Sequence, residues 1–220
     1  MRIFFQVDFA GKRNKSRTQY CLLSRFQGDG DERMSIPSDK KKVFERALYP
    51  GRFQPFHLGH LEAVQHILES SSEIIIMVGS ALESHTLKNP FTAGERITMV
   101  RMALNEANVD PARFYIIPVA DLEIHGIWVS HVCSLVPKFN IVYSNDPLTR
   151  RLFIESNFDV KEIPFFKREQ CSSTEIRKRM VQDKNWTTLL PRSVAEYIKQ
   201  IQGVERLQDL MKTDRVHVDN

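Results

Sequence analysis

The chain has 220 residues, 42% of them hydrophobic and 26% charged, which is long enough to bury roughly 70% of its unfolded surface in one α/β domain of ordinary size. Those proportions exclude collagen, low-complexity disorder and coiled coil, and the longest apolar run, Ile74 to Val78, is far short of the roughly 20 residues a membrane-spanning helix needs. The formal charge of +4 is unevenly placed: residues 1–42 hold 10 Lys and Arg against 5 acids, and the remainder holds 21 against 22, so the body is close to neutral and a nucleic-acid partner is not expected.

The basic extension, residues 1–42, alternates like a strand from Arg2 to Phe9 and then loses the pattern in the Lys12 to Arg17 cluster. It reads as a solvated tail, as a misassigned start with Met34 as the natural one, or as an Arg-rich transit peptide. No signal-peptide core opens the chain, and the expected location is cytoplasmic. Cys21, Cys133 and Cys171 are odd in number and widely spaced, which indicates neither a disulfide framework nor a structural zinc site.

From Val43 onward short apolar runs alternate with amphipathic segments, the pattern of repeated βα units. Strands are predicted at Arg46 to Tyr49, Glu73 to Val78, Phe114 to Pro118, Asn140 to Tyr143 and Val160 to Pro164. Helices are predicted at Gly59 to Glu69, Gly94 to Ala107, Ile127 to Leu135 and Pro147 to Glu155, with a helical C-terminal part over 172–212. The expected fold class is α/β, a doubly wound, Rossmann-like parallel sheet of about five strands, in one domain over 43–220. Ligands of such sheets bind beyond the carboxyl ends of the strands.

The loop after the first strand reads Pro50-Gly51-Arg52-Phe53-Gln54-Pro55-Phe56-His57-Leu58-Gly59-His60 and runs straight into a helix. Gly51 permits a sharp turn or a close backbone approach, and the helix start offers unpaired N–H groups to an anion. His57 and His60, at i, i+3, aim at one bound group, with Gly59 leaving room for it. Arg52 adds a fixed positive charge suited to a polyphosphate. A zincin pair would need i, i+4 spacing with a glutamate between, so zinc is not favoured.

Further on, Thr92 and Glu95 form a capping-box pattern, as do Ser172 and Glu175. After the second of these, Arg177, Lys178 and Arg179 crowd the first turns of a helix, where cations oppose the dipole unless an anion compensates. Ser84, His85 and Lys88 follow the central strand, suited to phosphates. Trp128, at a helix start after the third strand, offers a flat face either to the core or to a heteroaromatic ring.

His57-Leu58-Gly59-His60 resembles the (H/T)xGH motif of the nucleotidylyltransferase superfamily, and Gly51 to His60 is similar to its nicotinamide mononucleotide adenylyltransferases of archaeal type. Ser80 to Arg96, Val142 to Leu148, Ser172 to Arg177 and Gly203 to Arg206 extend the resemblance over about Arg46 to Leu210. It implies adenylyl transfer from ATP to nicotinamide mononucleotide, giving NAD and pyrophosphate. Implied as catalytic are His57, His60 and Arg177. For ATP it implies Gly51, Arg52, Phe53, Gln54, Gly59, Lys88, Asn145, Ser172 and Thr174. For the mononucleotide it implies Trp128, His125, Asp121 and Arg96. Lys88 stands where the family often has Arg, and His125 where several relatives have Asn. The cofactor implied is Mg²⁺, bridged by substrate phosphates with no protein ligand, and the assembly a homo-oligomer, often a hexamer. The alternatives are another acceptor of the same superfamily, such as phosphopantetheine or a polyol phosphate, or a non-catalytic nucleotide-binding protein. No Nudix box is present.

Overall fold

The computed structural model describes residues 44–164 and 172–216, with side chains as far as 212. The expectations for residues 1–42, Cys21 and Cys171 therefore lie outside the described residues. Five strands alternate with helices: β1 (Phe44–Gly51), α1 (Leu58–Leu68), β2 (Ser71–Val78), α2 (Ala93–Glu106), β3 (Phe114–Pro118), α3 (Trp128–Leu135), β4 (Ile141–Tyr143), α4 (Pro147–Glu155) and β5 (Val160–Lys161). Three further helices follow: α5 (Ser173–Val181), α6 (Arg192–Gln200) and α7 (Gly203–Val216).

All strand pairs are parallel, in the order β3-β2-β1-β4-β5. The chain builds outward from β1 to β3 and then crosses to the other side of β1, so the strand order reverses between β1 and β4. That reversal opens a crevice at the carboxyl ends of the two strands.

Two-residue periodicity explains why β2 is apolar from Ile74 to its end at Val78. Ile74, Ile76 and Val78 face one side of the sheet with Ala47 and Tyr49, packed beneath Val64 and Ile67 of α1, Met99 and Val100 of α2 and Ile176 of α5. Ile75 and Met77 face the other with Leu48 and Val142, under Val129 and Val132 of α3 and Phe153 of α4. A central strand covered on both faces has no solvent side to alternate toward.

The expected strand at Val160 to Pro164 stops at Lys161. Beyond it, the main-chain N–H and C=O of Ile163 pair with the side-chain amide of Asn145 at 2.9 and 2.8 Å rather than with β4, and Pro164 has no N–H to give. The helix expected from Ile127 starts at Trp128, preceded by a single 3₁₀ turn at His125–Ile127.

Candidate active site

The exit of β1 sets the geometry. Phe53 takes a left-handed conformation, φ 52°, which turns its ring back into the core beneath the strand end. A β-carbon on Gly51 would stand 2.6 Å from Cζ of that ring, so glycine is required by close approach. Gln54 is buried, and its amide donates to the carbonyl of Phe91 at 2.9 Å and accepts from the Phe91 N–H at 3.0 Å. This exchange fastens the loop to the segment that leads into α2.

At the start of α1 the two histidines cap each other. The N–H of His60 donates to Nδ1 of His57 at 3.3 Å, and the N–H of His57 donates to Nδ1 of His60 at 3.2 Å. The rings stack with centroids 3.6 Å apart and 20° between planes. Burial pushes His57 down to about 4, and burial together with the neighbouring His57 holds His60 well below its ordinary value. Both imidazoles are therefore neutral at pH 7, and with each Nδ1 accepting, the ring proton sits on Nε2. The pair presents two N–H donors at the helix N-terminus without the cost of burying a charge.

A cavity of about 330 Å³ opens at the β1/β4 crevice, lined by Gly51, His57, Gly59, His60, Ser144, Asn145, Asp146, Ser172 and Ser173, among others. It meets a second cavity of about 530 Å³, whose walls include Arg52, Gly79, Ser80, Glu83, Lys88, Asp121, His125, Trp128 and Leu148. Pro50, Gly51 and Asp146 border both cavities. Asp146 was not singled out by sequence. Its signal was the cap-then-proline start of α4, where its carboxylate accepts the N–H of Thr149 at 2.8 Å.

The turn at 51–60 and the start of α5 are in direct contact. Ser173 Oγ donates to the carbonyl of Pro55 at 3.1 Å, and Arg177 Nη1 donates to the carbonyl of Gln54 at 2.8 Å. Arg177 is pulled below its ordinary value first by burial and then by the charge of Arg52. Neither guanidinium has an ion-pair partner among the described residues. Two adjoining uncompensated cations beside a helix N-terminus make an anion seat. Thr174 is exposed and sits 3.5 Å from Arg177, and the two side chains line a separate pocket rather than either cavity.

Several of the expected site residues have side chains committed to the fold. Arg96 is fully buried and touches neither cavity; it donates to the carbonyls of Thr92, Arg52, Gly79 and Ser80 at 3.2, 2.9, 2.7 and 3.0 Å. Phe53 and Gln54 likewise line neither cavity, because their side chains are used to hold the turn. Asn145 does line the first cavity, but both ends of its amide are taken by Ile163. The capping box at Thr92 and Glu95 forms in full, whereas at Ser172 only the serine half forms, since Glu175 turns to Arg179 at 2.9 Å. Trp128 is half-buried, its ring edge-on to Phe153 at 5.6 Å, with its remaining surface on the second cavity.

Residues 48–179 match the cytidylyltransferase-like family model. The chain is 46% identical to the nicotinamide-nucleotide adenylyltransferase of Saccharolobus solfataricus over 170 residues, 77% of this chain and 99% of that protein. It is 46% identical to the enzyme of that name from Archaeoglobus fulgidus, and 48% identical to that of Pyrococcus horikoshii, over 77% and 75% of this chain and 99% and 88% of theirs. Among solved structures, a bifunctional NMN adenylyltransferase/ADP ribose pyrophosphatase from Francisella tularensis superposes with a TM-score of 0.69 at 22% identity. That match takes in 80% of this chain and 55% of the bifunctional one, and it establishes the fold.

Proposed function

The chain belongs to the cytidylyltransferase-like family and, within it, to the nicotinamide-nucleotide adenylyltransferases, and from this premise we propose that it joins ATP and nicotinamide mononucleotide into NAD and pyrophosphate. The observation that carries the reading is the pair of cavities meeting at Gly51 and Asp146, one with helix starts and histidine donors, the other with a tryptophan face and exposed cations. The first takes ATP and the second the mononucleotide.

In this reading an oxygen of the mononucleotide 5′-phosphate attacks the α-phosphorus of ATP in line, a new P–O bond forms as the bond to the bridging oxygen breaks, and pyrophosphate leaves with that oxygen. No protein nucleophile takes part. The residues bind, orient and neutralise, which is sufficient for phosphoryl-type transfer. The Nε2–H groups of His57 and His60 donate to phosphate oxygens as charge develops. Arg177 flanks the polyphosphate, Arg52 on the wall of the second cavity meets the attacking phosphate, Ser172 and the N-terminus of α5 close the polyphosphate from the opposite side, and Lys88 reaches in from the exit of β2. Trp128 offers its face to the pyridine ring, with His125 and Asp121 beside it.

Mg²⁺ carried in on the substrates would supply charge neutralisation at their phosphates. Among the described residues no helix is long and apolar enough to cross a membrane. A cytoplasmic homo-oligomer completes the proposal. Leu82, Ile124 and Ile127, 86%, 63% and 53% exposed on the loops around the second cavity, are apolar surface that a neighbouring subunit would cover.

The test is to incubate the purified full-length chain with ATP, Mg²⁺ and, separately, nicotinamide mononucleotide, nicotinate mononucleotide, phosphopantetheine and a polyol phosphate. Formation of NAD with stoichiometric pyrophosphate is expected. Turnover of phosphopantetheine or the polyol phosphate with none of either mononucleotide would overturn the assignment.

A further inference from the structure

The role of Arg96 differs from that of every other cation near the site. Arg96 is 0% exposed, yet among the described residues no carboxylate forms an ion pair with it. Four carbonyl oxygens compensate it: that of Thr92 at the cap of its own helix, that of Arg52 after β1, and those of Gly79 and Ser80 after β2. Burying a guanidinium on carbonyl dipoles alone is costly in desolvation, so its retention asks for a use beyond packing.

The geometry supplies one. Arg52, Gly79 and Ser80 are all wall residues of the second cavity, so a single planar fork fixes the spacing of two strand exits and hence the width of that wall. Strand exits of a parallel sheet point their last carbonyls toward the crevice. Three of those oxygens, which would otherwise face an anionic substrate, are turned inward onto Arg96. The charge matters as well. Asp121 and Glu83, both on the second cavity, are the carboxylates that act on Arg96 through space. Asp121 is held by Ser80, Oγ donating at 2.6 Å, and Glu83 by the amide of Asn89. A phosphorylated acceptor must approach these two carboxylates, and Arg96 lies behind them as their counter-charge.

We infer that Arg96 is a positioning residue for the acceptor half of the site, clamping the β1 and β2 exits and offsetting Asp121 and Glu83 so that an anionic mononucleotide can bind beside them. The inference rests on the proposed adenylyl transfer. It separates two contributions, because lysine retains the charge without the fork and methionine retains neither.

The experiment compares full-length wild type, Arg96→Lys and Arg96→Met at a temperature where circular dichroism shows all to be folded, measuring kcat and KM for ATP and for nicotinamide mononucleotide separately. For Arg96→Met, a rise of about tenfold or more in KM for the mononucleotide and a fall in kcat approaching 100-fold are expected, the scale of a misplaced reacting group, with KM for ATP changed less than about threefold. Arg96→Lys should recover most of the mononucleotide KM while kcat stays low. A merely structural residue would lower the melting temperature and leave both constants of the folded protein alone, and that result overturns the inference, as does an equal rise in both KM values. Should Arg96→Met not fold, the split between kcat and KM in Arg96→Lys decides. Wild type without activity on either mononucleotide sinks the functional reading itself, whereas active wild type with unchanged variants sinks this inference alone.

Discussion

The two cavities are neighbours but are built on opposite plans. In the first, the polar groups are committed before any ligand arrives: the acceptor nitrogens of His57 and His60 take each other's main-chain N–H, the Asn145 amide is spent on Ile163, and Ser173 on Pro55. In the second, Asp121 and Glu83 are held by Ser80 and Asn89, but Arg52, Lys88 and His125 are exposed, their side chains untethered by any hydrogen bond to the fold among the described residues. A donor fixed by the fold needs no reorganisation when charge develops against it, whereas a free side chain must be ordered by the substrate at a cost in affinity. The donors that act on developing charge should therefore lie in the first cavity, while the free side chains of the second should set acceptor affinity.

The largest test of that division is His60→Ala. Loss of one preorganised donor should lower kcat by about 100-fold or more, with little change in KM for the mononucleotide. His60 also caps α1, so His60→Asn, which leaves a side-chain acceptor for the N–H of His57, separates the roles: helix stability should return and turnover should not. Near-normal turnover in either folded variant would break the division at its strongest point.

A second test uses pH. Because burial lowers His57 to about 4 and holds His60 below its ordinary value, the unfolded chain binds protons between pH 6.5 and 4 that the folded chain does not. Folding stability is then fully present above about pH 6.5 and falls as the pH is lowered toward 4. For His57 alone the loss is about 2 kcal/mol by pH 5, read as the difference in urea midpoint between pH 7.5 and pH 5. His57→Gln should flatten that part of the curve. An unchanged slope in the variant would mean that His57 titrates in the folded protein as it does in the unfolded chain, so that below about pH 6.5 the first cavity would hold a charge rather than a neutral donor.

The same contrast explains what could be read from the chain. Local signals carried far. Asp146-Pro147 fixed the start of α4, and the Thr92 and Glu95 pair fixed that of α2, because cap and helix lie within one turn of each other. The i, i+3 spacing of His57 and His60 announced a shared target, though not that one nitrogen of each would be spent on the helix and the other left for a ligand. Gln54, Asn145 and Arg96 share one feature. Each is a polar side chain inside a ligand-binding string, and its partner lies elsewhere: Phe91 for Gln54, Ile163 for Asn145, and Arg52 and Gly79 for Arg96. Spacing within a motif says which residues travel together, not which way each one faces, and that depends on contacts the fold makes later.

The smallest effect belongs to Lys88, whose exposed ammonium lines the second cavity without a partner among the described residues. Lysine is a point charge on a flexible stem, while arginine meets a phosphate with two parallel donors. Lys88→Arg should therefore lower KM for whichever substrate phosphate it meets, by about threefold, the modest return of an exposed, screened charge, and should leave kcat within a factor of about two. Isothermal titration of each nucleotide separately identifies the phosphate concerned. If the substitution instead changed kcat by tenfold or more, Lys88 would be held as firmly as the histidines and would act on the developing charge rather than in recognition alone.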